Sequence, residues 1–201
     1  MMDSGVYLVA EDEPGLAVGR KLLAEFSVLS IHSEKNARGY GDLKKNISSY
    51  HKMARNGFPV LLLTDLDADS CPSVKINDWL GCTPSQGFLF RICVREIEAW
   101  LLADKVAISA FLKINLTKLH IDPESLNNPK AELIKLAQRA PRKIKLGMTP
   151  AGSASIGPYY NELLSEFISN DWSLDRAEKN APSLKRARQR VREFASLITV
   201  T

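Results

Sequence analysis

Three short clusters of acidic residues carry the chemical possibilities of this chain: Glu11, Asp12 and Glu13; Asp65, Asp67 and Asp69; and Glu96 with Glu98. Asp65, Asp67 and Asp69 are spaced by two, so on extended backbone their side chains project to one side. Carboxylates held that close repel one another, and no Lys or Arg stands among them in the sequence. A divalent cation is the simplest way to make such an arrangement tolerable. Donors that are all oxygen favour magnesium or manganese over zinc. A magnesium site built from a few carboxylates leaves positions open for water and phosphate oxygens, which suits phosphoryl transfer. The competing reading is structural, because Asp caps helices and shapes turns. An EF-hand loop is excluded, since it needs Gly where Ser70 stands and Glu where Ile76 stands.

Other reactive residue types offer less. Cys71, Cys82 and Cys93 show neither CxxC nor Cys/His metal spacing, which argues against a disulfide framework or a structural zinc site. His32, His51 and His120 are scattered and are given no part in the chemistry. Cations gather in two stretches, Lys130 to Lys145 and Lys185 to Arg192, while the acidic clusters lie in the first half. That split suits a polyanionic partner held by one part and processed by another, with a solvated helix face as the plainer explanation.

The elements that must position these groups follow from the apolar pattern. GVYLVA (Gly5 to Ala10) reads as a buried strand, followed by the breaker pair Pro14-Gly15 and a helix over Leu16 to Phe26. A second strand is expected over Ser27 to His32, then a polar helix from about Gly41 to Arg55. PVLLLT (Pro59 to Thr64) is apolar without alternation, as expected of a parallel strand covered on both faces. A helix over Pro72 to Leu80 and a strand over Phe88 to Val94 complete an α/β pattern with a parallel sheet flanked by helices. In such sheets functional groups collect at the carboxyl ends of the strands, where each acidic cluster falls. From Glu96 on the pattern is helical, with helices over Glu96 to Ala103, Val106 to Leu112, Lys130 to Arg139, Tyr159 to Ile168 and Pro182 to Leu197, and residues 105–201 read as a helical C-terminal extension packed on a catalytic core of residues 1–104. A mobile loop is expected around Ala151 to Ile156.

With the elements placed, LVAEDE (Leu8 to Glu13), LLLTDLDAD (Leu61 to Asp69) and REIEAWLLAD (Arg95 to Asp104) resemble the Toprim nuclease fold, a Rossmann-like sheet. Within it they resemble the group DUF4276, related to the nuclease half of overcoming-lysogenization-defect (OLD) proteins. The stretch Glu98 to Asp104 and the Pro-Ser-Leu run at Pro182 to Leu184 carry the likeness across most of the chain. The resemblance implies that Glu11, Asp65 and Asp67 contact Mg2+ or Mn2+. Topoisomerase and primase members have Gly where this chain has Asp12, which argues against strand passage. The resemblance also implies a role in phage defence beside an ABC-type or AAA-type ATPase. This chain has no GxxxxGK[ST] phosphate loop of its own.

The resulting expectation is a metal-dependent nuclease acting on DNA or RNA. Asp69, Glu96 and Glu98 are candidates for a second metal or for orienting water, and Arg95 and Lys130 for neutralising charge on the scissile phosphate. Trp100 is expected to be a core anchor. Two other readings compete: a non-catalytic Toprim-like module that binds nucleic acid or a partner, and a haloacid-dehalogenase-like phosphatase with Asp65 as nucleophile. No apolar run approaches the ~18 residues of a membrane span, and no secretory leader is recognisable, so a cytoplasmic protein, possible as a homo-oligomer, is expected.

Overall fold

The computed structural model describes residues 4–200. Four strands, β1 (Ser4–Ala10), β2 (Leu29–Asn36), β3 (Val60–Asp65) and β4 (Phe88–Cys93), form one parallel sheet in the order β2-β1-β3-β4. Helices α1 (Glu13–Ala24), α2 (Tyr40–Arg55) and α3 (Pro72–Leu80) supply the crossovers. The chain is therefore α/β with a Rossmann-like layout, as the alternating pattern predicts. Successive side chains of a strand face opposite ways, and β3 shows it cleanly: Val60 and Leu62 pack with α2 on one face, Leu61 and Leu63 with α1 on the other.

Local physics explains where the elements begin. Pro14-Gly15 does not break the chain. It lies in the first turn of α1, where Pro lacks only an amide that would have no intrahelical partner, and the Asp12 carboxylate caps the Gly15 amide at 2.9 Å. A Cβ on Gly15 would lie 2.9 Å from that of Ala10, and one on Gly19 would lie 2.5 Å from Leu8 Cδ1. These two glycines let α1 lie close on β1, which draws Glu11 and Asp12 onto the sheet end. β2 runs later than expected because its polar residues Ser33 to Asn36 pair with Tyr7 to Ala10 while alternating between half-buried and exposed at the sheet edge.

Beyond β4 the chain is helical: α4 (Ile97–Ala103), α5 (Lys105–Leu112), α6 (Pro129–Ala137), α7 (Arg142–Met148), α8 (Tyr160–Asn170), α9 (Leu174–Ala177) and α10 (Pro182–Val200). The sequence pattern missed α7 and α9. A single apolar cluster unites Val6, Leu8 and Leu22 with Leu133, Phe167 and Leu184, so the helical half shares the core of the sheet half. Polar ties cross the same seam. Buried Asp104 caps α5 at Ala107, accepts from the Ser173 amide at 2.9 Å and pairs with Arg176 at 2.8 Å. Arg188 is mostly buried and pairs with Glu25, with Asp175 at 2.6 Å and with Glu178 at 3.1 Å. The ends of the loop expected to be mobile are clasped together, the Gly157 amide donating to the Met148 carbonyl at 3.1 Å and the Tyr159 amide to that of Gly147 at 3.0 Å. Among the described residues, no helix is long and apolar enough to cross a membrane.

Candidate functional site

At the carboxyl ends of β1 and β3 a small cavity of about 10 Å³ is lined by Glu11, Asp12, Thr64, Asp65 and Cys93. Its volume is close to what one water molecule occupies. Each carboxylate is aimed by a protein donor. Glu11 Oε1 accepts from the Thr64 hydroxyl and from the Asp65 amide at 2.9 Å, Asp12 Oδ1 from Gly15, and Asp65 Oδ1 from the Ile97 amide at 2.8 Å. The second oxygen of each receives no hydrogen bond from the described residues.

Near these carboxylates lies a fourth, Glu98, paired with Lys130. Glu98 is fully buried, accepts a hydrogen bond from the Tyr160 hydroxyl at 2.9 Å, and sits 3.5 Å from Lys130 Nζ. Its Oε2 is buried without a hydrogen-bond partner. Burial raises the pKa values of Glu11 and Asp12. It raises that of Asp65 well above its ordinary value, with repulsion from Glu98, Glu11 and Asp12 acting the same way. Burial pushes Glu98 up to about 7, against the pull of Lys130. Burial also works against the Lys130 ammonium, but attraction from Glu98, Asp65, Glu96 and Asp12 outweighs it and raises its pKa. Four carboxyl groups thus share one local cation, in surroundings that favour protonation or a further positive charge.

The eight sequence candidates divide. Glu11 and Asp65 meet at the cavity, with Glu98 and Lys130 nearby. Asp67 and Asp69 do not follow Asp65 to the same side. The strand ends at Asp65, and Asp67 adopts a left-handed conformation (φ 54°), which destroys the alternation. Both turn to Lys75 of α3, at 3.4 and 3.1 Å, whose side chain is only 2 % exposed. The expectation that no cation stands among these aspartates fails, because Lys75 reaches back from eight residues beyond Asp67. The Asp67 charge also acts to raise the Glu11 pKa, after burial.

Arg95 does not face the cavity. Its guanidinium donates to the carbonyls of Asp67 and Asp69, each at 3.0 Å, and its own carbonyl accepts from the Leu66 and Asp67 amides, so it builds the turn. Glu96 is the residue before α4, and its carboxylate accepts from the Lys130 amide at 2.7 Å, capping α6. Trp100 is fully buried and donates to the Ser183 hydroxyl at 2.6 Å. The histidines stay outside the site: His51 Nε2 accepts from the Ser85 amide at 3.0 Å. The three cysteines are free, and Cys93 borders the cavity as a buried thiol.

The chain matches no family model, no curated protein and no solved structure.

The site must therefore be judged on its own donors. Among the described residues, no three His, Cys, Asp or Glu side chains stand in the tight grouping of a preformed metal centre. The donor chemistry nonetheless fits a hard divalent cation: three carboxylates around one small cavity, each held by an amide through one oxygen, with an orphaned Glu98 oxygen near them. Four contributors escaped the sequence candidates. Asp12 was visible as a neighbour of Glu11, and Thr64 as a hydroxyl next to Asp65. Lys75 was visible only as the sole cation between Asp65 and Leu80. Nothing in the sequence placed Tyr160 over Glu98.

Proposed function

We propose that this chain is a Mg2+- or Mn2+-dependent nuclease of Toprim-like character, hydrolysing phosphodiester bonds in DNA or RNA. The observation that carries the reading is the meeting of Glu11, Asp12 and Asp65 around one cavity at the carboxyl ends of adjacent parallel strands. Glu11, Asp12 and Asp65 would hold the cation, with Glu98 nearby. When bound, such a cation polarises a phosphoryl oxygen and makes a bound water more acidic.

The protein's own residues supply the rest. Thr64, Gly15 and Ile97 fix the carboxylates before substrate arrives, so no reorganisation is needed at the moment of reaction. Lys130 keeps a positive charge beside the buried carboxylates and is about one-third exposed, so its ammonium can also face an incoming phosphate. Glu98, with a pKa near 7, can hold or release a proton at Oε2 at neutral pH. Lys75 and Arg95 hold the turn that follows Asp65. A nearby ATPase partner, phage defence and affiliation with DUF4276 belong to the same proposal through the sequence resemblance.

Two features bear on the rivals. The engagement of Asp67 and Asp69 by Lys75 favours a non-cutting Toprim-like module, because it withdraws two of the expected ligands. Burial raises the pKa of Asp65, which bears on the phosphatase reading and on the metal-ligand role alike, since both need its ionised form. The test is incubation with plasmid, single-stranded DNA and tRNA in magnesium or manganese, with and without chelator, for the wild type and Asp65→Asn. Cleavage that needs the metal and vanishes in the folded variant is expected. Undiminished cleavage by Asp65→Asn overturns the assignment.

A further inference from the structure

β4 forms one edge of the sheet, and its sequence FLFRIC contains a single charge, Arg91. Alternation places Arg91 with Leu89 and Cys93 on the face that packs against α10, an apolar row in which a guanidinium is costly to bury. Its Nε donates to the Phe90 carbonyl at 2.7 Å, and no carboxylate among the described residues forms an ion pair with it. The nearest surroundings are themselves cationic. Burial pulls the Arg91 pKa down to about 10, and repulsion from Arg190 and Arg186 of α10 acts in the same direction. Glu193 offsets this only weakly and is already paired with Arg190 at 2.7 Å.

Arg91 and Arg190 together line a groove of about 400 Å³ between α3, the turn leading into β4, and α10. Asn77, Ser85 and Gln86 add hydrogen-bonding groups to its wall, and Phe88 and Leu89 an apolar floor. None of its lining residues borders the acidic cavity. The volume falls in the range of small-molecule sites, roughly 300–1,000 Å³.

We propose that this groove binds a phosphate group carried on a nucleotide-sized body. Two guanidinium groups line one groove, Arg91 without an ion pair among the described residues and Arg190 paired only with the exposed Glu193, and they match phosphate oxygens, which accept forked N–H donors in pairs. The amide and hydroxyl side chains would receive the remaining polar edges, and Phe88 and Leu89 the apolar part. A free mononucleotide and a phosphodiester in a single strand present the same chemistry. The groove does not depend on the nuclease reading.

Titration calorimetry in chelator, with inorganic phosphate, adenosine monophosphate and a short single-stranded oligonucleotide as probes, tests the assignment. Expected is one-to-one binding of the monophosphate, weakened tenfold or more by Arg190→Gln and by Arg91→Gln and unchanged by Arg139→Gln, an exposed arginine elsewhere. Arg190 is largely exposed, so its variant decides the matter even if Arg91→Gln fails to fold. Tighter binding of the oligonucleotide than of the monophosphate, with the same arginine dependence, identifies a strand as the source. Tighter monophosphate binding identifies a free nucleotide. Binding retained in Asp65→Asn separates this groove from the acidic site. Absence of binding by every probe, or affinity untouched in both Arg190→Gln and Arg91→Gln, overturns the proposal.

Discussion

Glu98→Gln should reverse a pH-dependent loss of stability that the wild type suffers in metal-free buffer. Glu98 is fully buried, and its pKa rises from 4.5 to about 7 in the folded chain, burial being the main cause. The folded state therefore binds the proton more tightly than the unfolded one. The stabilisation this brings is fully present below pH 4.5 and is lost as pH climbs through 7. At about 1.4 kcal/mol per pH unit of displacement, the loss is roughly 3 kcal/mol. Gln keeps the shape and can still accept from Tyr160, but carries no charge at any pH. The assay is urea unfolding followed by tryptophan fluorescence at pH 4.5 and pH 8, with chelator, for both proteins. Titrating groups remote from Glu98 cancel in the difference between them. The stability of Glu98→Gln relative to wild type should rise by ~3 kcal/mol between the two pH values. A difference that stays constant, or moves the other way, would refute the claim that Glu98 titrates in a dry, weakly compensated site.

Other outcomes follow from the geometry. Lys75→Met leaves Asp67 and Asp69 without their buried cation beside Glu11, and should cost on the order of 2 kcal/mol in urea unfolding; adding Asp67→Asn to it should recover part of the loss. Ser183→Ala removes the acceptor of the buried Trp100 indole N–H and of the Val94 amide, and should cost about 1–3 kcal/mol in the same assay. A Cβ at position 157 would lie 2.2 Å from the Gly147 carbonyl oxygen, so Gly157→Ala should lower the thermal midpoint, at a cost of about 1–3 kcal/mol, while Gly152→Ala, which meets no neighbouring atom but has φ 61°, should be milder.

β3 was readable because it is buried on both faces: PVLLLT needs no partner to identify it, and the acidic clusters fall at strand ends as the topology requires. Glu11 and Asp65 come together because adjacent parallel strands in register deliver their carboxyl ends to one place. What the sequence concealed depends on single backbone angles and on long-range packing. The φ of Asp67 turns two aspartates away from the third, and Asp is one of the few residues that adopts that conformation without a glycine to announce it. Lys130 and Tyr160 reach Glu98 from helices 32 and 62 residues further along the chain, a juxtaposition that local periodicity cannot encode. The basic C-terminal run was ambiguous for the same reason. Arg188 is absorbed by three carboxylates, whereas Arg190 stands beside the groove.

Asp104 has a mechanical consequence. It lies at the junction of α4 and α5, where the chain passes from the sheet half to the helical half, and it is bonded to α5, to the Ser173 amide and to Arg176. Moving α4 away from α5 and α9 about this point would break a charge-assisted pair and two hydrogen bonds from backbone amides at once. One buried carboxylate therefore pins α4, α5 and the start of α9 to one another.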